Sequence, residues 1–358
     1  MRTIHQFVAG FTNGDAISNE ARVLRDIFQS WGYKSEIFSE QKRILPEIRH
    51  EARDVSEYAA EAKPDDIVLL HLSIGSQVNE AFLNIPSRRA ILYHNVTPSN
   101  YLELINKQMA NSLSLGRTQI KALAGSAEVN MADSQYNADE LAEAGYKDVK
   151  VLPLVLDLDK LTDSIDKKTM NKYGDHIVNI VFVGRCVPNK KIEDVITAFY
   201  YFNKYIEPNS RLIHVGSYAG TERYYHLLLS QIKELNTDKV FFTKSIPQPQ
   251  LNAVYKSADL FLSMSEHEGF CIPLIESMVH DVPILAYAAA AVPETLDGSG
   301  VLFKEKDYEA VAEMMGRIVK DKPFREAVLK GQQERIARYR NRDLEAELKT
   351  HLAPLLEP

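Results

Sequence analysis

The stretch at 257–287, SADLFLSMSEHEGFCIPLIESMVHDVPILAY, leaves the chain little freedom in its choice of fold. Leu260, Phe261, Leu262 and Met264 form a short apolar run of the length a buried strand needs, and it stops abruptly in the polar Ser265, Glu266, His267, Glu268 and Gly269. Pro273 stands where a first helical turn tolerates a residue without an N–H. Leu274, Ile275, Met278 and Val279 then recur at helical spacing until Asp281 and Pro283 close the segment. The pattern predicts a strand, a glycine-containing turn and a helix starting near Cys271.

In such a unit the first N–H groups of the helix, at Gly269, Phe270, Cys271 and Ile272, have no carbonyl of the helix to bond and suit an anion or a row of hydroxyls. Glu268 precedes the helix and Glu276 lies inside it, so the two carboxylates reach different parts of one elongated ligand. A carboxylate accepts two hydrogen bonds side by side, which matches a sugar diol.

The remaining segments repeat this strand-then-helix order. Strands are expected at 3–8, 34–38, 66–71, 89–94, 129–134, 150–157, 177–183, 211–216, 240–246 and 284–286, with helical periodicity between most of them. The alternation implies a parallel, doubly wound α/β sheet in each half. Three closing helices are predicted, at 307–319, 323–332 and 342–356.

At 358 residues the expectation is about two domains. A net charge of −7 gives no electrostatic case for nucleic acid. Cys186 and Cys271 are too few for a disulfide framework, which points to a reducing cytoplasm. The first residues lack a signal-peptide pattern, and no apolar run approaches the roughly 20 residues of a membrane span. The basic residues Lys107, Arg117 and Lys121 around 120–125 leave two readings, a peripheral membrane contact at the inner face and a solvated helix face.

After the first strand, Gly10 and Gly14 are four apart with no third glycine, so a dinucleotide fingerprint is missing. The helix that follows carries Ile17, Ala21, Leu24, Ile27 and Phe28 on one face, with Ser18 and Glu20 read as polar early positions. His71 and His94 each end a strand, where a ligand-facing group belongs, although a lone histidine is more often structural. In the second half the β-branched run 177–183 opens into Gly184, Arg185, Cys186, Val187, Pro188, Asn189, Lys190 and Lys191. Two cations five apart before a helix make a clamp for a diphosphate.

Residues 268–276, E-G-F-C-I-P-L-I-E, resemble the E-x7-E signature of the retaining glycosyltransferases of family 4. The resemblance implies the GT-B fold, two Rossmann-like doubly wound parallel-sheet domains facing each other across a cleft. It divides the chain into an acceptor-binding domain at 1–160 and a donor-binding domain at 161–339, with a helix at about 340–358 returning to the first. Arg185 and Lys190 match the family's R-x4-K pair, which binds the diphosphate of the leaving nucleotide. Glu268 then holds a donor-sugar hydroxyl and Glu276 the ribose, while His94 matches a group beside the reaction centre.

The same likeness gives Gly14, Asp15, Gly184, Gly216, Gly269, Phe270, Cys271 and Ile272 to the donor, with Lys244 and Ile246 contacting its base through the backbone. His71 and Asp15 are the acceptor candidates. Three departures stand out: Cys271, Lys191 and the alanines at 288–291 occupy places where the family commonly has glycine. Glu294 in the last of these motifs is a further candidate.

The activity so implied is transfer of a hexose, glucose from UDP-glucose first and mannose from GDP-mannose second, to a carbohydrate or lipid-linked carbohydrate acceptor in surface polysaccharide synthesis. No Asp-x-Asp metal motif is visible, and no metal or cofactor beyond the nucleotide sugar is expected. A nucleotide-sugar epimerase of the same fold is the nearest rival. A glycosidase would leave the Arg/Lys loop without a task, a dehydrogenase lacks its glycine fingerprint, and a sugar-nucleotide sensor would bind without turnover.

Overall fold

The computed structural model describes residues 2–357. They form two compact units: residues up to Asn100, Gln108–Leu156 and everything from Asp343 on in the first, Tyr101–Lys107 and Asp157–Arg342 in the second.

The first unit is built on β1 (Ile4–Val8), β2 (Ile37–Ser39), β3 (Ala52–Asp54), β4 (Ile67–Leu72), β5 (Arg88–Tyr93), β6 (Val129–Ala132) and β7 (Lys150–Val151), in the order β3-β2-β1-β4-β5-β6-β7. All pairs are parallel. β1 and β4 are buried along their whole length, which is why they read as unbroken apolar runs. The helix Leu344–Leu356 lays Leu348, Leu352 and Leu355 on the core formed by Ile4, Leu69, Leu92 and Met131.

The second unit is a six-stranded parallel sheet of β8 (Val178–Val183), β9 (Ser210–Val215), β10 (Val240–Phe242), β11 (Leu260–Ser263), β12 (Ile284–Tyr287) and β13 (Val301–Phe303), ordered β10-β9-β8-β11-β12-β13. Each unit is therefore a Rossmann-like α/β layer structure, as the resemblance implied. In each sheet the first strand has its successor on one side and a later strand on the other, and this reversal opens a crevice beyond the carboxyl ends. In the second unit that crevice lies between the loops after β8 and β11.

Several expected boundaries move. The strand predicted at 150–157 is only Lys150–Val151, because Pro153 has no N–H to continue the ladder. The edge strands β3 and β13 are additional to those expected. The helix expected at 323–332 runs Lys322–Arg340; Gln332 does not end it but points inward, accepting from Ile284 N at 2.9 Å and donating to Val282 O at 2.8 Å. No helix among the described residues is long and apolar enough to cross a membrane. Helix Lys107–Leu123 buries Ala110, Leu113, Ile120 and Leu123 and exposes Lys107 and Lys121.

Candidate functional site

In the second unit the loop after β8 carries the cations. Arg185 is exposed and its guanidinium makes no ion pair or hydrogen bond among the described residues, whereas Lys190 Nζ lies 2.5 Å from Glu268 Oε2. Glu268 is itself buried at 8% exposure, so its partner offsets the cost of desolvating the carboxylate. The two loops are laced together: Glu266 N donates to Asn189 O at 2.9 Å and Asn189 Nδ2 to His267 O at 3.1 Å. Lys306 Nζ, between Asp194 Oδ2 at 2.7 Å and Glu266 Oε1 at 2.8 Å, holds the same loop from behind.

Helix Ile272–Val279 begins where the sequence placed it, with Cys271 as its N-cap at φ 74°. Gly269 and Phe270 lead into it, and Thr295 Oγ1 donates to Phe270 O. Glu276 is buried within this helix and accepts a 2.7 Å hydrogen bond from Tyr255 OH. Burial raises its pKa, and the Tyr255 hydrogen bond only partly opposes that. Burial, reinforced by the charge of Glu268, pushes the Cys271 thiol well up, so it is an inert packing group rather than a nucleophile.

Gly184 and Gly216 stand where the loops after β8 and β9 touch. A Cβ on Gly216 would fall 1.8 Å from the Gly184 carbonyl oxygen, so only glycine fits. Lys244, after β10, is exposed and holds left-handed backbone at φ 62°; Gly216 N donates to its carbonyl at 3.1 Å. Ile246 lines a cavity with Tyr173, Tyr225 and Phe242 on the outer edge of the sheet. The structure thus gathers Gly184, Arg185, Lys190, Gly216, Lys244, Glu268, Gly269, Phe270, Cys271, Ile272 and Glu276 on the loops and first helical turns at the carboxyl ends of one sheet. Glu294 lies in helix Val292–Leu296, next to the turn in which Ala291 N donates to Glu268 O at 3.3 Å.

The first unit brings a different set together. Gln6 Nε2 donates to Ala21 O at 2.9 Å, so its Oε1 accepts from His71 Nε2, also at 2.9 Å. His71 Nδ1 is then the acceptor for His94 Nε2–H, 3.0 Å away. His94 Nδ1 faces Asp133 Oδ2 at 3.5 Å, and its Nε2 is 3.4 Å from Glu20 Oε2. Burial alone would lower the His94 pKa, but the Glu20 charge and then Asp133 outweigh it and hold the ring above its ordinary value. Burial, aided by the charge on His94, keeps His71 well below and neutral.

Glu20, His71 and His94 offer ligand atoms within 4.8 Å of one another, as a cation would need. The two rings are parallel to 5° with centroids 5.2 Å apart, so the facing nitrogens point along the line joining the rings. A metal bridging them would sit off both lone-pair axes, and an N–H···N hydrogen bond fits instead.

Glu20 corrects the sequence reading. It is fully buried, as is Ser18, and its Oε1 accepts from Val155 N at 2.8 Å. The signal was its place three after Ile17 and one before Ala21, inside the apolar stripe. Asp15 caps helix Ala16–Ser30, accepting from Ser18 N at 2.9 Å and Ser18 Oγ at 2.7 Å, and Gly14 holds a left-handed turn at φ 72°. Both have a structural task that needs no ligand. Tyr255 and Asp133, partners of Glu276 and His94, carried no signal of their own.

Residues 165–335 match the family model of glycosyl transferases group 1. The group 1 segment includes every candidate of the second unit, from Gly184 to Glu276. O-antigen chain mannosyltransferase B of Escherichia coli is 22% identical over 148 residues, 41% of this chain and 38% of that protein. The capsular polysaccharide biosynthesis glycosyltransferase CapM of Staphylococcus aureus is 25% identical over 174 residues, 46% of this chain and 43% of that one. The matches thus span less than half the length of these relatives.

Solved structures align over the whole chain. Sucrose-phosphate synthase from Thermosynechococcus elongatus gives a TM-score of 0.76 at 17% identity, and HepE of Anabaena in complex with UDP-glucose gives 0.72 at 17%, each covering 99% of both chains. At such identity the likeness is one of fold, and the fold is GT-B.

Proposed function

We propose that this chain is a retaining, metal-independent glycosyltransferase of the family 4 kind, moving a hexose from a nucleoside-diphosphate sugar to a carbohydrate or lipid-linked acceptor on the cytoplasmic side of surface polysaccharide synthesis. The observation that carries the reading is the cluster at the carboxyl ends of the second sheet: an exposed Arg185, the Lys190–Glu268 pair and the first amides of helix Ile272–Val279, within a segment that matches group 1 glycosyl transferases.

The chemistry follows from those groups. Arg185 and Lys190 grip the donor diphosphate and neutralise the charge that grows on it as the glycosidic bond breaks; such preorganised charge is worth about 3–4 kcal/mol per donor group removed. Glu268 exchanges its bond to Lys190 for a sugar hydroxyl, and Glu276 takes the ribose. In the proposed mechanism the acceptor attacks from the leaving-group face, and the donor phosphate oxygen that leaves takes its proton. His94, a buried ring whose pKa the Glu20 and Asp133 carboxylates hold above its ordinary value against the opposing effect of burial, is assigned the reaction-centre role that the resemblance gives it.

UDP-glucose is the first choice of donor, on the match to a structure described as a UDP-glucose complex. The mannosyltransferase among the relatives makes GDP-mannose the second. The test is turnover of each donor with and without glycan acceptors, followed by the anomeric signal of the product. Retained configuration with nucleotide release only when acceptor is present is the expected result. Donor consumption without acceptor would identify an epimerase, and an inverted product would remove the same-face mechanism.

A further inference from the structure

The turn of Gly269, Phe270 and Cys271 is held from behind by residues with no task in the reaction described so far. The Glu268 carbonyl accepts from Ala291 N at 3.3 Å, and the Phe270 carbonyl accepts from the Thr295 hydroxyl. Both donors belong to helix Val292–Leu296 and its N-cap. Thr295 is 1% exposed, so its bond to the turn is shielded from water.

A peptide unit is planar and trans, so its carbonyl and the N–H that follows point in opposite directions. Drawing the Glu268 and Phe270 carbonyls toward helix Val292–Leu296 therefore turns the N–H groups of Gly269 and Cys271 away from it. These are among the amides assigned to the donor above. The conformation is one that a side chain opposes: Cys271 stands at φ 74° and ψ 66°, a region that glycine enters freely and other residues do not. Such backbone persists only where its surroundings over-determine it. The Phe270 ring, 6% exposed, lies 6.2 Å from the Tyr339 ring, and Arg335 Nε donates to Thr295 O at 3.0 Å. Helix Lys322–Arg340 thus backs both the turn and the residue that clamps it.

We propose that Thr295 is a positioning residue for the donor site: its hydroxyl holds the Phe270 carbonyl and so aims the Cys271 amide at the donor, maintaining a backbone that glycine at 271 would adopt unaided. This rests on the donor reading above. Removing the hydroxyl leaves a buried carbonyl without its partner and frees the turn to leave the left-handed region.

Hydrogen exchange of the unliganded chain and titration of UDP and GDP test this on wild type, Thr295→Val, Thr295→Ser, Cys271→Gly and the Thr295→Val/Cys271→Gly double variant. Thr295→Val is expected to speed amide exchange at 268–276 while the strands of the second sheet keep theirs, and to weaken whichever nucleotide wild type binds tighter by about tenfold. Thr295→Ser keeps the hydroxyl and should match wild type in both. With glycine at 271 the turn holds its shape without the clamp, so there Thr295→Val should cost about threefold or less. Unchanged exchange in Thr295→Val would overturn the clamp, and faster exchange with unchanged affinity would overturn its part in aiming the amide. An equal loss of affinity with cysteine and with glycine at 271 would refute the compensation for Cys271. Wild type that bound neither nucleotide would overturn the donor reading itself, while the exchange comparison would still decide the clamp.

Discussion

Lys191, Cys271 and Ala290 hold left-handed backbone at φ 51°, 74° and 50° without being glycine. Each stands where the resemblance has glycine, so the loops keep the conformation of that pattern and absorb strain of about 1–2 kcal/mol apiece. Lys191→Gly is expected to raise unfolding stability in urea by about 0.5–1 kcal/mol, because its ion pairs to Glu193 at 3.7 Å and Glu266 at 3.5 Å are loose and partly exposed. A loss of stability would show that those pairs outweigh the strain.

His94 makes a pH-dependent prediction. Its folded pKa lies above the reference of 6.5, so the stability it contributes is complete below 6.5 and is lost as pH rises through the folded value. The melting-temperature gap between wild type and His94→Asn should therefore be larger below about pH 6.5 and narrow as pH rises above it. A gap that stayed constant would mean the ring is neutral. At this scale the sequence revealed charges and glycine replacements but not their pairings. Arg185, Lys190 and Glu268 announce themselves by spacing, whereas the burial of Glu20 depends on which helix face meets the sheet.

Strands, turns and helices decide where those side chains meet. The loops after β8 and β9 approach so closely that Gly216→Ala must displace backbone, since the nearest atoms are the Gly184 carbonyl oxygen and carbon at 1.8 and 2.6 Å. A loss of about 1–3 kcal/mol and a turnover drop of at least tenfold are expected, read by urea melts and donor consumption. Wild-type stability and turnover would show that the loop moves freely.

Strands buried on both faces were legible as apolar runs, and the candidate residues of the second unit lie on the loops at their carboxyl ends. Short edge strands such as β3 and β13 were not, because pairing on one side alone leaves only weak composition bias. Nor was the path of Tyr101–Lys107: Arg223 Nη1 donates to Leu104 O at 2.6 Å and Asn106 Nδ2 to Gly220 O at 2.7 Å, contacts far apart in sequence that no local pattern encodes.

The chain as a whole is two units whose sequences interleave. Leu352, 1% exposed in the core of the first unit, ties the last helix to strands that begin the chain. Leu352→Ala should cost about 2–5 kcal/mol in unfolding experiments, and a change under about 0.5 kcal/mol would mean that this helix is not integral to the unit. The central claim, that the carboxyl ends of the second sheet grip a nucleoside diphosphate through Arg185 and Lys190, is met most directly by a thermal-shift panel of UDP, GDP, ADP and their sugars on wild type and Arg185→Ala. A ligand bound only by the native state at about 100 times its Kd adds about 2.7 kcal/mol of stability. The account predicts a raised melting temperature with at least one of these, largely abolished by Arg185→Ala, whose unliganded melt is unchanged. A wild-type protein indifferent to every one of them would contradict it.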